Sequence, residues 1–371
     1  MRITFVLPVV NLSGGIRAVA IFADGLRRRG HEVLAVSTPP RQPPLRSMVR
    51  SFLRGNGWPR VAVGQPSHLD KVDVEHRVID RWRPVTDDDV PDADVVVATW
   101  WETAPWVAAL SPRKGSKVYL MQDYGAAGQP LEEVSRTWSL PMHIITVSGW
   151  LMDLIHQYRD VPVSLVPVGV DLQEFFAPER GKQARPTVGF VYCSIPQKGC
   201  DIVAAAIASA RKRMRELRVL SFGSETPKPF MPLPPGTEFR FQVPDNALRG
   251  IYESCDAWLF GSRREGFGLP ILEAMACHTP VIGTPAGAAP ELLPDGGGIL
   301  LKHEDSEGMA QAIEHVAALT DTEWRQRSNA ACAMAARHSW DAAILKFESA
   351  LAGIVNPSST VVDVGRVQSA I

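Results

Sequence analysis

Short apolar runs alternate with amphipathic stretches along most of the chain. In the first half, Ile3–Val10, Glu32–Ser37, Val95–Thr99, Lys117–Met121, Ile144–Val147 and Ser164–Val166 read as buried strands. Between the first two, helical spacing predicts a helix from about Gly15 to Arg29, closed by Gly30. A polar segment with Pro178, Gly181 and Pro186 then separates this half from a second alternating set, and reads as a linker over 171–186. Strands are predicted there at Thr187–Tyr192, Arg218–Gly223, Thr237–Phe241, Ala257–Phe260, Pro280–Gly283 and Gly298–Leu301. Helices are predicted at Asp201–Glu216, Asn246–Ser254, Ile271–Cys277 and Ser306–Ala318. Two more close the chain, near Asp321–Arg337 and Trp340–Gly353. Alternation of this kind predicts an α/β protein of two Rossmann-like domains facing across a cleft, with ligands where strand C-termini meet helix N-termini.

Composition narrows the class. The 371 residues are 45% hydrophobic, too apolar for disorder, and the formal net charge of -1 does not suit a dedicated nucleic-acid binder. Five dispersed cysteines form no C-x-x-C pair, so neither a disulfide framework nor a zinc ribbon is indicated, and a reducing cytosolic setting fits. No apolar run is long enough to span a membrane. The run after Arg2 contains Pro8 and leads into Asn11-Leu12-Ser13-Gly14-Gly15, which reads as a buried strand and not as a secretion signal. Residues 1–60 hold ten arginines against two acids, and within them Leu45, Met48, Val49 and Phe52 share one helical side while Arg46, Arg50 and Arg54 line another. Such a helix over 45–54 could contact an anionic membrane surface or a lipid-diphosphate acceptor, or pack as an ordinary surface helix.

The densest chemistry lies in Ser262-Arg263-Arg264-Glu265-Gly266-Phe267-Gly268-Leu269-Pro270, between a predicted strand and a predicted helix. Gly266 and Gly268 permit close backbone approach, Pro270 suits a helix start, and the amides there suit a diphosphate. Two carboxylates lie eight positions apart. Glu273, placed by the prediction in the first helical turn, could accept from the cis-diol of a ribose. Glu265 could reach hydroxyls of a sugar beyond the phosphates. On spacing alone, dipole complementation by Glu273 and a solvated Glu265 account for the pattern equally well.

The run Glu-Gly-Phe-Gly-Leu-Pro-x-x-x-Glu-Ala-Met-Ala resembles the donor-site signature of the family 4 glycosyltransferases (glycosyl transferases group 1), with Glu265 and Glu273 as its E-x7-E pair. Other segments resemble the family in the same order: Gly14-Gly15 before a helix ending Arg29-Gly30-His31-Glu32-Val33; Pro167-Val168-Gly169-Val170-Asp171; Gln197-Lys198-Gly199-Cys200-Asp201; Pro280 through Glu291; and Ser339-Trp340. The resemblance covers nearly the whole chain. It implies the GT-B fold and retaining transfer of a sugar from a nucleotide donor. Lys198 would neutralise the leaving diphosphate and Glu265 would face the sugar. Gly14, Gly15, Arg264, Gly266, Phe267, Gly268, Leu269 and Glu273 would bind the donor, with Phe267 and Leu269 excluding water. Attack on the leaving-group face, with a phosphate oxygen taking the acceptor proton, needs no protein base.

Departures from the family pattern are visible. Its Arg about six residues before the phosphate lysine is Tyr192 here, and Arg263 or Arg264 could supply the charge. Its His after the strand at Lys117–Met121 is replaced by Gln122-Asp123-Tyr124. Gln122, Asp123 and Trp101 remain candidate acceptor contacts, with core packing the stronger account of the tryptophan. Asp92-Ala93-Asp94 reads as solvated surface, and the histidines lack metal-ligand spacing.

The sequence therefore predicts a retaining glycosyltransferase with no metal and no cofactor beyond the nucleoside-diphosphate sugar. It would act on a saccharide or lipid-linked saccharide in surface polysaccharide, lipopolysaccharide or glycolipid assembly. Nucleic acid is not an expected partner. The predicted setting is cytoplasmic, with contact at the inner face of the plasma membrane. Glycosylation of a small soluble metabolite, epimerisation of a nucleotide sugar and inactive nucleotide-sugar binding are the alternatives. Residues 1–172 are assigned to an acceptor domain carrying the returning helix 339–355, 173–338 to a donor domain and 356–371 to a flexible tail.

Overall fold

Two parallel-type sheets organise the chain. The computed structural model describes residues 1–41, 66–124 and 131–356. The first sheet runs β3-β2-β1-β4-β5-β6-β7. Its strands are β1 (Arg2–Leu7), β2 (Glu32–Ser37), β3 (Glu75–Val78), β4 (Val95–Ala98), β5 (Ser116–Met121), β6 (His143–Thr146) and β7 (Val163–Leu165). The second runs β10-β9-β8-β11-β12-β13. It is built from β8 (Thr187–Val191), β9 (Arg218–Gly223), β10 (Glu238–Phe241), β11 (Ala257–Phe260), β12 (Val281–Gly283) and β13 (Ile299–Leu300). Phe5 registers with Ala35 on one side and Val97 on the other, and Gly189 with Leu220 and Trp258. In each sheet the order reverses at its first strand, so the chain leaves the carboxyl ends there in opposite directions, the place where such sheets take ligands.

The helices are α1 (Gly14–Arg28), α2 (Thr103–Ala109), α3 (Leu131–Thr137), α4 (Gly149–Tyr158), α5 (Cys200–Ala210), α6 (Asp245–Tyr252), α7 (Leu269–Ala276), α8 (Ala289–Leu292), α9 (Ser306–Ala318), α10 (Asp321–Ala336) and α11 (Trp340–Val355). Departures from the predicted elements have local causes. β1 stops at Leu7 because Pro8 has no amide to add to the ladder. β3 was not predicted: it is an edge strand of mostly exposed Glu-His-Arg-Val and carries no apolar pattern. Helix α5 ends at Ala210, six residues short of the prediction, where Lys212 and Arg213 bond three residues back and tighten the chain into turns.

By its contacts the chain divides into two compact units. One comprises Met1–Leu120, Leu140–Ile145 and the chain from Ile344; the other comprises Met121–Ser139 and Thr146–Ala343. In the first, α11 contributes Phe347, fully buried with its ring 4.6 Å from Phe22 and 6.2 Å from Phe5. Burying one phenyl ring contributes about 1.5–3 kcal/mol. Glu348 joins the same seam, accepting from Arg29 Nε at 2.6 Å and lying 2.7 Å from His31 Nε2. Most N-terminal arginines that the structure describes are similarly engaged. Arg27 and Arg28 pair with Asp24, Arg2 with Asp94, and Arg41 lies 3.8 Å over the Trp82 ring. The basic helix read over 45–54 and the tail beyond Asn356 lie outside the described residues.

In the second unit, Trp258 and Trp324 are fully buried, and Trp324 Nε1 donates to Asp256 O at 2.9 Å. The segment read as a linker is laced onto this unit. Arg180 donates to Thr279 Oγ1 at 2.9 Å and to Cys255 O while its guanidinium covers Trp324 at 4.5 Å. Lys182 Nζ donates to the carbonyls of Ala317 and Leu319, at the end of α9. All five cysteines are free thiols.

Candidate functional site

The second sheet brings its chemistry together at the switch point between β8 and β11. After β8 the chain makes a single tight turn, Pro196–Lys198, before α5. Gly199 joins turn to helix at φ +61°, where a Cβ would stand 1.8 Å from Gly261 O, so only glycine fits. After β11 the loop 261–268 leads to α7. Backbone bonds stitch the two loops: Gln197 O accepts from Arg263 N at 2.8 Å and from Arg264 N at 3.4 Å. Arg263 adds bonds to Pro196 O, Asp201 and Glu304.

This stitching delivers Lys198 to Glu265. The ammonium lies 2.8 Å from Oε1 and 2.7 Å from Oε2, and Ser262 Oγ donates to Oε1 at 2.9 Å. Burial works against the Lys198 charge, but the Glu265 carboxylate outweighs it and holds the ammonium above its ordinary pKa. The Lys198 side chain stays 41% exposed against 14% for Glu265, so the lysine is the more accessible member.

A second layer holds the other side of the loop. Gly266 O accepts from Ser148 Oγ at 2.7 Å and from Trp150 Nε1 at 2.9 Å, both at the start of α4. In a trans peptide the next N–H points opposite the carbonyl, so these two bonds turn the Phe267 amide away from α4. A Cβ on Gly266 would stand 1.7 Å from Gln122 O, so this glycine is required by close approach of backbone. Trp150 also meets Tyr124 edge-on at 6.0 Å, and the Arg264 guanidinium lies 4.4 Å over the Tyr124 ring and 3.7 Å from Asp123. Burial pushes the Asp123 carboxyl up, with Arg264 opposing it. Glu291 bonds Gly149 N at 3.0 Å, and burial pushes its carboxyl up too.

Of the residues named from sequence, Lys198, Glu265, Arg264, Gly266, Gln122 and Asp123 thus converge. Phe267 is buried, its carbonyl held by Ala288 N at 2.8 Å, and Gly268 at φ +96° caps α7, whose first residue is Leu269. Glu273 corrects the sequence reading. It is the fifth residue of α7, past the first turn because the helix begins at Leu269, two residues before the predicted start, and it is buried, accepting from Tyr252 Oη at 2.7 Å. Tyr192, in the place of the family's arginine, is buried too, its hydroxyl donating to Met231 O and accepting from Lys228 N. Arg263 is committed to Asp201 and Glu304, and Arg264, next in sequence to Glu265, faces Asp123 and Tyr124. Gly14, Gly15 and Trp101 belong to the first unit. There Ser13 precedes α1 without a side-chain cap, and Trp101 Nε1 is buried with no partner among the described residues. Sequence reasoning missed Ser148 and Trp150, and quoted Tyr124 and Ser262 inside its candidate runs without giving either a place in the site. Ser148 and Trp150 had no signal that could have found them. Among the described residues no group of three His, Cys, Asp or Glu is arranged for a metal ion, and no helix is long and apolar enough to cross a membrane.

Residues 185–318 match the family described as "Glycosyl transferases group 1". A D-inositol 3-phosphate glycosyltransferase of Segniliparus rotundus is 30% identical over 205 residues, 48% of this chain and 44% of that protein. The chain spans about half the length, or less, of the curated relatives it matches. Among solved structures, the sucrose-phosphate synthase of Thermosynechococcus elongatus superposes with a TM-score of 0.73 at 16% identity, covering 96% of this chain and 100% of that one. HepE of Anabaena in complex with UDP-glucose gives 0.70 at 18% identity, covering 95% and 100%. The likeness to these solved structures gives the chain the GT-B fold, and residues 185–318 are the part of it similar to the glycosyl transferases group 1.

Proposed function

We propose that the chain is a retaining glycosyltransferase that moves a sugar from a nucleoside-diphosphate sugar to a hydroxyl acceptor. The observation that carries this reading is the Lys198–Glu265 pair, set at the carboxyl ends of β8 and β11 beside the loop that opens α7. Lys198 and Arg264 would meet the diphosphate, where negative charge grows as the bond to the anomeric carbon breaks. The diphosphate leaves with the electron pair of that bond. The acceptor oxygen bonds to the same face of the carbon, and its proton passes to a phosphate oxygen. Glu265 would orient the sugar hydroxyls, and Glu273, held by Tyr252, the ribose. With two cations at the phosphates, no metal and no further cofactor is called for.

In the same reading the acceptor is a saccharide or lipid-linked saccharide of surface polysaccharide or glycolipid assembly, met at the inner face of the plasma membrane through 45–54. A small phosphorylated polyol is the second reading, favoured by the similarity to a D-inositol 3-phosphate glycosyltransferase. The decisive experiment is a thermal-shift panel of UDP-, GDP-, ADP- and dTDP-sugars with chelator present. One donor should raise the melting temperature through linkage, and release of nucleoside diphosphate from it should require an acceptor. A flat panel, or free sugar released without acceptor, would count against transfer.

A further inference from the structure

The Lys198 ammonium has three N–H donors, and both oxygens of Glu265 lie within hydrogen-bond reach of it. An incoming diphosphate therefore meets a cation already matched by a carboxylate, and brings its own negative charge close to that carboxylate. Like charges at such range oppose each other. A donor that carries a sugar has a remedy, because its hydroxyls can donate to Glu265 as the lysine turns to phosphate. A bare nucleoside diphosphate has none.

We infer, resting on the donor-site reading above, that Glu265 is an internal rival of the diphosphate for Lys198. It favours sugar-bearing donor over spent nucleoside diphosphate and helps expel that product once the sugar has left. Ser262 is the positioning residue that makes this reversible. It is buried, its carbonyl is held by Thr284 Oγ1, and its hydroxyl donates to Glu265 Oε1 at 2.9 Å. The carboxylate thus keeps one fixed partner when the lysine departs, and stays where the sugar needs it.

The test is titration calorimetry of the full chain with UDP, GDP and ADP, each variant first checked for a cooperative melt. For the nucleotide that binds wild type, Glu265→Gln should bind roughly three- to tenfold tighter. Lys198→Ala should bind weaker, and Glu265→Gln should tighten binding by a smaller factor in the Lys198→Ala background than in wild type, because the competition for the ammonium needs both partners and only the direct repulsion remains. Glu265→Ala stands in if the glutamine variant does not fold. Unchanged or weaker binding by Glu265→Gln, with Lys198→Ala still weakened, overturns the inference and leaves the nucleotide site standing. No binding by wild type or any variant overturns the nucleotide reading itself. Ser262→Ala should raise KM for the sugar donor while affinity for the bare nucleotide holds, and Ser262→Thr should restore it. Parallel losses in both would reduce Ser262 to a structural part.

Discussion

The two sheets share the order third-second-first-fourth-fifth about their switch points, yet their loops there differ in kind. After β8 and β11 the second sheet places Lys198 and Glu265 in direct contact, backed by Ser262, with Arg264 on the same loop facing Asp123. The corresponding loops of the first sheet serve the backbone. Asn11 Oδ1 accepts from Ser13 N, Thr99 Oγ1 donates to Val6 O at 3.0 Å, and Thr103 Oγ1 accepts from the amides of Thr99 and Trp100. The same strand order thus makes two rims, and only one concentrates opposite charges. The fold supplies the place, and side chains on two loops supply the chemistry.

The comparison breaks most sharply at Lys198. Lys198→Ala should lower kcat by about 10²–10³-fold with a smaller change in donor KM, the signature of charge stabilised mainly in the transition state. A steady-state series with the donor from the thermal-shift panel checks it. An unchanged kcat would make the two rims equivalent and remove the lysine from the mechanism.

Two glycines nominated by the same sequence argument sharpen the contrast next. Gly266→Ala drives a Cβ to 1.7 Å from Gln122 O, whereas Gly14→Ala meets nothing within 4 Å. The first should destabilise by about 1–3 kcal/mol or more, and the second by less than about 0.5 kcal/mol. Denaturant unfolding of both separates them. A loss of donor affinity in Gly14→Ala at full stability would then report ligand approach and not folding.

Why the two rims were unequally legible follows from range. The alternation of apolar runs and helical spacing is local, and among the described residues it located twelve of thirteen strands and missed β3, whose exposed edge has no pattern to read. The Gly-Phe-Gly-Leu-Pro run declared its loop because Gly268, left-handed at φ +96°, and Pro270, in the first turn of α7, answer local backbone demands. The partners that orient that loop are distant in sequence: Ser148 and Trp150 lie more than 110 positions before Gly266. Nothing in a serine and a tryptophan at the start of a short helix announces a carbonyl so far along the chain. Glu273 was misplaced by a similar limit, since the helix start depends on the left-handed turn at Gly268 and not on the apolar spacing that follows.

The smallest expected difference lies between two indoles. Trp150 Nε1 donates to Gly266 O at 2.9 Å, while Trp101 Nε1 is buried without a partner among the described residues. Replacing either by phenylalanine keeps a ring and removes an N–H. For Trp150 that loses a made bond, with Ser148 still holding the carbonyl, so the polar part of the cost should be about 1 kcal/mol. For Trp101 it removes a donor that folding leaves unsatisfied, and the polar part should be near zero or favourable. Trp150→Phe should also loosen the Gly266–Phe267 peptide and raise donor KM. Equal melting temperatures and equal donor KM for the two variants would mean that the Gly266 carbonyl is held by Ser148 alone.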